Sequence, residues 1–172
     1  EIDRMKFRLM PDSASLTILG MNSGTSADGL DLAALSITRT KSAYSWKLRA
    51  TQSLTFPPAL RARILDLALS DETALDELIT VDSALGHFMG QSAKKFIASS
   101  RKKRISVDAV ASHGQTVRHL PVAGKLSGFL SHGSLQIGSL DAISAATGLP
   151  VVGNFRAADV ALGYEGAPIT VA

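Results

Sequence analysis

Three stretches of this chain gather residues able to do chemistry. "GMNSGTSADGLD" (20–31) sets Gly20, Gly24 and Gly29 among the hydroxyls of Ser23, Thr25 and Ser26 and the carboxylates of Asp28 and Asp31. Glycines let a backbone approach phosphate oxygens, to which hydroxyls and N–H groups can donate. A neighbouring carboxylate can hold Mg²⁺, directly or through water. The stretch lacks the G-x-x-x-x-G-K-[ST] spacing and has no lysine, so it is not a Walker A loop. Asp-Gly is equally a hairpin-turn signal, and spacing alone leaves phosphate loop and plain turn both open. "SHGQTVRHLP" (112–121) brings His113, Gln115, Thr116, Arg118 and His119 into one short span. These types suit hydrogen bonding to sugar hydroxyls or a carboxylate. A polar loop with a satisfied histidine is the competing reading. A metal site is poorly supported, because the two histidines lack an obvious third ligand. "VVGNFRAADVALG" (151–163) reads as a buried strand with an amide, Asn154, and a guanidinium, Arg156, at its tip. α/β enzymes place ligands beyond strand ends of this kind, yet an amide cannot take a proton at neutral pH. An active site without its base and a structural turn both fit.

The elements that must position these groups follow from periodicity. "SLTILGMNSG" (15–24), "LDLAALSITR" (30–39) and "SWKLRATQSLTF" (45–56) read as consecutive strands with tight connections. Pro57-Pro58 opens a helix over 58–69, with Leu60, Ile64, Leu65 and Leu67 on its apolar face. A longer helix starts near Thr73, which forms a capping-box pattern with Asp76. Its expected apolar face is Leu75, Leu78, Ile79, Leu85, Phe88, Met89, Phe96 and Ile97. "VDAVAS" (107–112) is a buried strand running into the His-Gly-Gln-Thr stretch, and "SLQIG" (134–138) a short strand. "LDAISAATG" (140–148) is a helix ending at Gly148, and "PVVGNF" (150–155) the last strand. Strands first, then alternating helix and strand, predict an α/β domain with a mixed sheet flanked by helices. That order resembles a ribonuclease-H-like domain, one lobe of the actin-like ATPase and sugar-kinase fold.

Bulk properties exclude several classes. The 172 residues suit one domain, and 18 basic against 15 acidic residues give a net charge of +3. Much of the excess is Arg101-Lys102-Lys103-Arg104, the solvated end of the long helix, where cations complement the dipole. No aromatic residues interleave with it, so no nucleic-acid partner is expected. The chain has no cysteine, which removes disulfides, a thiol nucleophile and Cys-based metal sites. No apolar run approaches the roughly 20 residues of a membrane span, and no signal-peptide pattern is visible. No membrane partner is expected, and a cytoplasmic location is. The first methionine is Met5, as in a chain whose start is missing or processed. His87 and His132 stand outside any motif.

Taken together, the motif blocks resemble the anhydro-N-acetylmuramic acid kinase family. Its first hairpin, G-x-M-S-G-T-S-x-D-G-x-D, is matched from Gly20 to Asp31, with Asn22 where methionine is usual. Its S/C-H-G-Q-T-V-x-H-x-P block is matched from Ser112 to Pro121, and its L-Q-I-G block from Leu135 to Gly138. The block V-V-x-D-F-R-x-x-D-x-A-x-G-G-Q-G-A-P-L is matched from Val151 to Ile169. The resemblance implies a two-domain kinase with an ATP and Mg²⁺ site between its lobes. On that resemblance, water would open a 1,6-anhydro ring while the γ-phosphate moves to the released O6, giving N-acetylmuramic acid 6-phosphate in peptidoglycan recycling. A close relative of the family acts on levoglucosan, so a 1,6-anhydro sugar is the substrate class.

Carried over by position, Gly24, Thr25, Ser26, Ala27, Asp28, Gly29, Leu30 and Asp31 would bind ATP and Mg²⁺, with Asp28 the metal ligand. His113, Gln115, Thr116 and His119 would line or support the sugar site, and Arg156 would stabilise the catalytic strand end or a phosphate. Two departures stand out. The family's aspartate, the presumed base, is Asn154 here, and Gly-Gly-Gln-Gly has become Gly163-Tyr164-Glu165-Gly166. Asp159 matches a different family position and is no substitute base. The chain also stops at Ala172, about where the family's second domain is built, so residues 1–172 read as a single N-terminal lobe. Such a lobe is expected to expose the face meant for its partner lobe, to form homo-oligomers and not to turn over alone. The competing function is a degenerate, non-catalytic member serving as a ligand-binding or interaction module.

Overall fold

The computed structural model describes residues 15–40 and 43–166. Three strands, β1 (Ser15–Asn22), β2 (Gly29–Arg39) and β3 (Tyr44–Thr55), form an antiparallel meander. Helices α1 (Pro58–Leu69) and α2 (Leu75–Lys102) follow, then β4 (Ala109–Ser112) and a hairpin of β5 (Gln115–Leu126) and β6 (Phe129–Ile137). α3 (Leu140–Thr147), β7 (Val151–Val152) and α4 (Phe155–Ala161) complete the described chain. The main sheet has the order β3-β2-β1-β4-β7, with β4 parallel to β1 and β7 parallel to β4. This is the mixed sheet expected of one lobe of a sugar-kinase or actin-like fold.

Strand alternation decides which face is buried. Leu19 and Met21 of β1 stand opposite Ala34 and Leu32 of β2, and these side chains share the inner face with Leu30 and Val110. Against that face pack Ile64 of α1, Leu85, Met89 and Phe96 of α2 and Ile143 of α3. Phe56 and Phe88 meet edge to face at 5.4 Å. α2 lies close to α3 because Gly86 and Gly90 face it: a Cβ on Gly86 would sit 2.7 Å from the Ser139 nitrogen. Arg63 of α1 pairs with Glu77 of α2, a hydrogen bond that also raises the arginine's pKa.

Four expectations need correction. α2 begins at Leu75 with Ala74 as its cap and no side-chain cap bond, so Thr73 and Asp76 form no capping box; Asp76 and Glu77 instead complement the dipole. Leu75 and Ile79 are exposed rather than on the apolar face, since the buried stripe of α2 begins only at Val81. The stretch after His113 is no loop but strand β5, paired with β6 through Thr116↔Gln136 and His119↔Ser134. Register shifts at Thr116/Arg118 and Leu120/Gly124 break the alternation that would have revealed it. The last strand is only Val151–Val152, because Asn154 turns the chain at φ 57° and α4 starts at once. By contrast α3 ends as read, at Gly148 with φ 68°, and is capped at its start by Ser139. Ala167–Ala172, including the end of the fourth motif block, lie outside the described residues.

Candidate active site

β1, β4 and β7 run parallel, so Asn22, Ser112 and Val152 end at the same edge of the sheet. In open α/β sheets that edge is where ligands bind. Two clefts lie there. The first, about 350 Å³, is lined by Asn22, Gly24, Ser26, Asp28, Gly29 and Asp31 together with Ser53–Thr55 of β3. The Ala27 N–H closes a turn on the Gly24 carbonyl at 3.0 Å, with Ala27 itself at φ 49°. Gly29 must be glycine, because a Cβ there would lie 2.0 Å from the Leu54 carbonyl oxygen. The loop is therefore both a hairpin turn and the wall of a cleft.

Its members divide by burial. Gly24, Thr25, Ser26 and Asp28 are exposed, whereas Ala27 and Leu30 are core residues at 0% and 1% exposure. Those two side chains anchor the loop in the core, and Leu30 also borders the cleft. Arg61 of α1 donates to the Asp28 carboxylate at 3.1 Å and to the Ser26 carbonyl at 3.3 Å. Asp31 accepts from the Ser53 hydroxyl at 2.6 Å. Among the described residues no three His, Cys, Asp or Glu side chains could together hold a metal. Mg²⁺ asks less of a protein: one or two carboxylates, with phosphates and water completing the shell. The exposed Asp28, with Asp31 on the same cleft, meets that demand.

The second cleft, about 340 Å³, is lined by Ser112, His113, Gln136, Gly138, Leu140 and Asn154 among others. It unites the second, third and fourth motif blocks. The His113 N–H bonds to the Met21 carbonyl at 3.0 Å, tying β4's end to β1. Arg156 Nε donates to His113 Nε2 at 3.2 Å. Arginine has no acceptor, so Nε2 carries the lone pair and Nδ1 the proton, which it donates to the Gly114 carbonyl at 3.2 Å. Arg156 thus holds the histidine ring through its Nε2. Asn154 is exposed at the cleft's rim. Asp159 is committed elsewhere, accepting from the Gly166 N–H at 2.8 Å.

Gln115 joins the two clefts. It is 1% exposed, accepts from the buried Ser23 hydroxyl at 2.5 Å and donates to the Thr116 carbonyl at 3.1 Å. Its side chain lines neither cleft. Thr116 accepts from Gln136 Nε2 at 3.3 Å. His119 shares that hairpin face through its register with Ser134, and His119 Nδ1 and Gln136 Oε1 are buried without a hydrogen-bond partner among the described residues. Arg118 is turned away, onto the Ser70 carbonyl and Asp71. Sequence reading gave no role to Arg61, Ser134 or Gln136; Gln136 lay inside the Leu-Gln-Ile-Gly block, while the signals for the other two were a cation in the helix after the third strand and polar alternation along β6.

The fold and the clefts at its strand ends define one lobe of a sugar-kinase-like α/β protein. Over residues 16–172 the sequence matches the family described as anhydro-N-acetylmuramic acid kinase, and the chain belongs to that family. An anhydro-N-acetylmuramic acid kinase of Synechococcus elongatus is 38% identical over 157 residues, covering 91% of this chain and 39% of the relative. Proteins of the same name from Saccharophagus degradans and Xylella fastidiosa are 36% and 37% identical, covering 90% and 92% of this chain and 40% of each relative. The chain thus spans about two fifths of the length of the curated relatives it matches.

Proposed function

We propose that this chain is the N-terminal lobe of an ATP-dependent kinase of 1,6-anhydro-N-acetylmuramic acid, working in the cytoplasmic recycling of peptidoglycan. In that reaction a water oxygen adds to C1 and gives up a proton to a base, the C1–O6 bond opens with its electron pair on O6, and O6 takes the γ-phosphoryl group of ATP as ADP leaves. The observation that carries the reading is the meeting of His113, Gln136 and Asn154 in one cleft, joined to the glycine-rich loop through Ser23 and Gln115. The loop's exposed N–H and hydroxyl groups would receive phosphate oxygens, and Asp28 and Asp31 would hold Mg²⁺. When bound, that ion neutralises charge on the transferring phosphoryl group. Sugar hydroxyls would meet the polar face of the β5–β6 hairpin, whose unmet buried atoms favour a hydrogen-bonding ligand.

Asn154 and Arg156 favour a second reading. The Asn154 amide can orient a water by hydrogen bonding but cannot carry its proton away, and a general base contributes about 10²–10⁴-fold. His113 is no free replacement, since Arg156 occupies its lone pair. A lobe that binds ligand without turnover fits both facts. Titration of 1,6-anhydro-N-acetylmuramic acid into ¹⁵N-labelled chain tests the shared premise. Amide shifts should concentrate at His113, Gly138 and Asn154; no shift there at millimolar sugar, in a folded chain, would sink the sugar assignment.

A further inference from the structure

The glycine-rich loop presents an electrostatic problem. Residues 20–31 contain two carboxylates, Asp28 and Asp31, and no lysine or arginine. A polyphosphate entering such a loop meets like charge before it meets a donor. The fold supplies the missing cation from 33 positions away: Arg61, in the first turns of α1, reaches Asp28 at 3.1 Å and the Ser26 carbonyl at 3.3 Å. Its side chain is 42% exposed and that of Asp28 is 72% exposed, so both can exchange partners without disturbing the core.

We propose that Arg61 is the cation of the phosphate-binding loop. Arg61 neutralises Asp28 and braces the turn at Ser26. When Mg²⁺ engages Asp28, the guanidinium is released to the phosphate oxygens beside it. A planar guanidinium suits both partners, since it forms charge-assisted hydrogen bonds to carboxylate and phosphate alike. The loop then needs no lysine of its own. The inference rests on the loop's being the phosphate site.

The test uses the chain itself and inorganic tripolyphosphate, with and without Mg²⁺, followed through the Gly24 and Gly29 amides by NMR. With Mg²⁺, Arg61→Met should weaken binding about tenfold or more, the loss of one charge-assisted hydrogen bond. Arg61→Lys should recover part of that loss. Without Mg²⁺, Asp28→Asn should tighten binding by releasing Arg61, and the gain should vanish in the Asp28→Asn, Arg61→Met double variant. Binding by Arg61→Met equal to that of the parent chain overturns the role of Arg61 and leaves the phosphate loop standing. A parent chain whose loop amides do not move at all overturns both. The spectra also report directly that each variant is folded.

Discussion

At the residue scale the account turns on Asn154. Its φ of 57° lies in the left-handed region, which asparagine tolerates because its short polar side chain bonds locally. Its own carbonyl accepts from the Ala157 N–H at 3.2 Å, closing the turn into α4. Asparagine thus does the conformational part of the job, and what a carboxylate at this position would add is proton acceptance. Asn154→Ala should therefore cost about 1–2 kcal/mol, the price of the left-handed turn for a side chain with a Cβ and no polar group. Asn154→Gly should cost far less, and urea denaturation separates the two. A second prediction concerns the buried link between the clefts. Ser23→Ala leaves Gln115 Oε1 buried without its donor and should destabilise the chain by about 1–3 kcal/mol, read as a lowered Tm.

At the scale of elements, what could be read from sequence was what local chemistry dictates. Pro58 starts α1, Gly148 ends α3, and the apolar pattern of the first strands places the meander. The end of β6 was legible as the short strand 134–138, whereas β5 and the start of β6 escaped because bulges scramble a period of two, although Ser127-Gly128, with φ of 51° and 87°, supplies a recognisable turn pair. α4 escaped because seven residues give too little periodicity to count, and the shortness of β7 follows from it. The site divides the same way. His113 and Asn154 were legible through their motif blocks, whereas Arg61 is long-range: no spacing near residue 28 announces a partner on the next helix. Gly29 gives a test at this scale. Gly29→Ala would drive a methyl into the Leu54 carbonyl and force β2 from β3, so it should lower the unfolding midpoint markedly. An unchanged midpoint would mean the loop is not pinned there.

At the scale of the whole molecule, the sheet is covered unequally. α1, α2 and α3 fill the inner face, while Leu16 and Ile18 of β1 and Leu35 and Ile37 of β2 lie on the other. Beside them the edge strand β3 exposes Tyr44, Trp46 and Leu48 at 66%, 70% and 51%. Large apolar patches of this kind mark interaction surfaces, and a sheet with parallel strands is normally covered on both faces. The chain is expected to self-associate through this face, with sedimentation showing concentration-dependent mass that falls in Trp46→Lys. Among the described residues no helix is long and apolar enough to cross a membrane.

The measurement that bears most directly on the central claim is turnover by an extended chain. Residues 1–172 would be joined to the portion of the Synechococcus elongatus relative beyond its match, and ATP-dependent phosphorylation of 1,6-anhydro-N-acetylmuramic acid assayed with Asn154 and with Asn154→Asp. The account predicts little or no product with asparagine and a gain of about 10²–10⁴-fold with aspartate. A folded, sugar-binding Asn154→Asp chain that forms no phosphorylated sugar would contradict it.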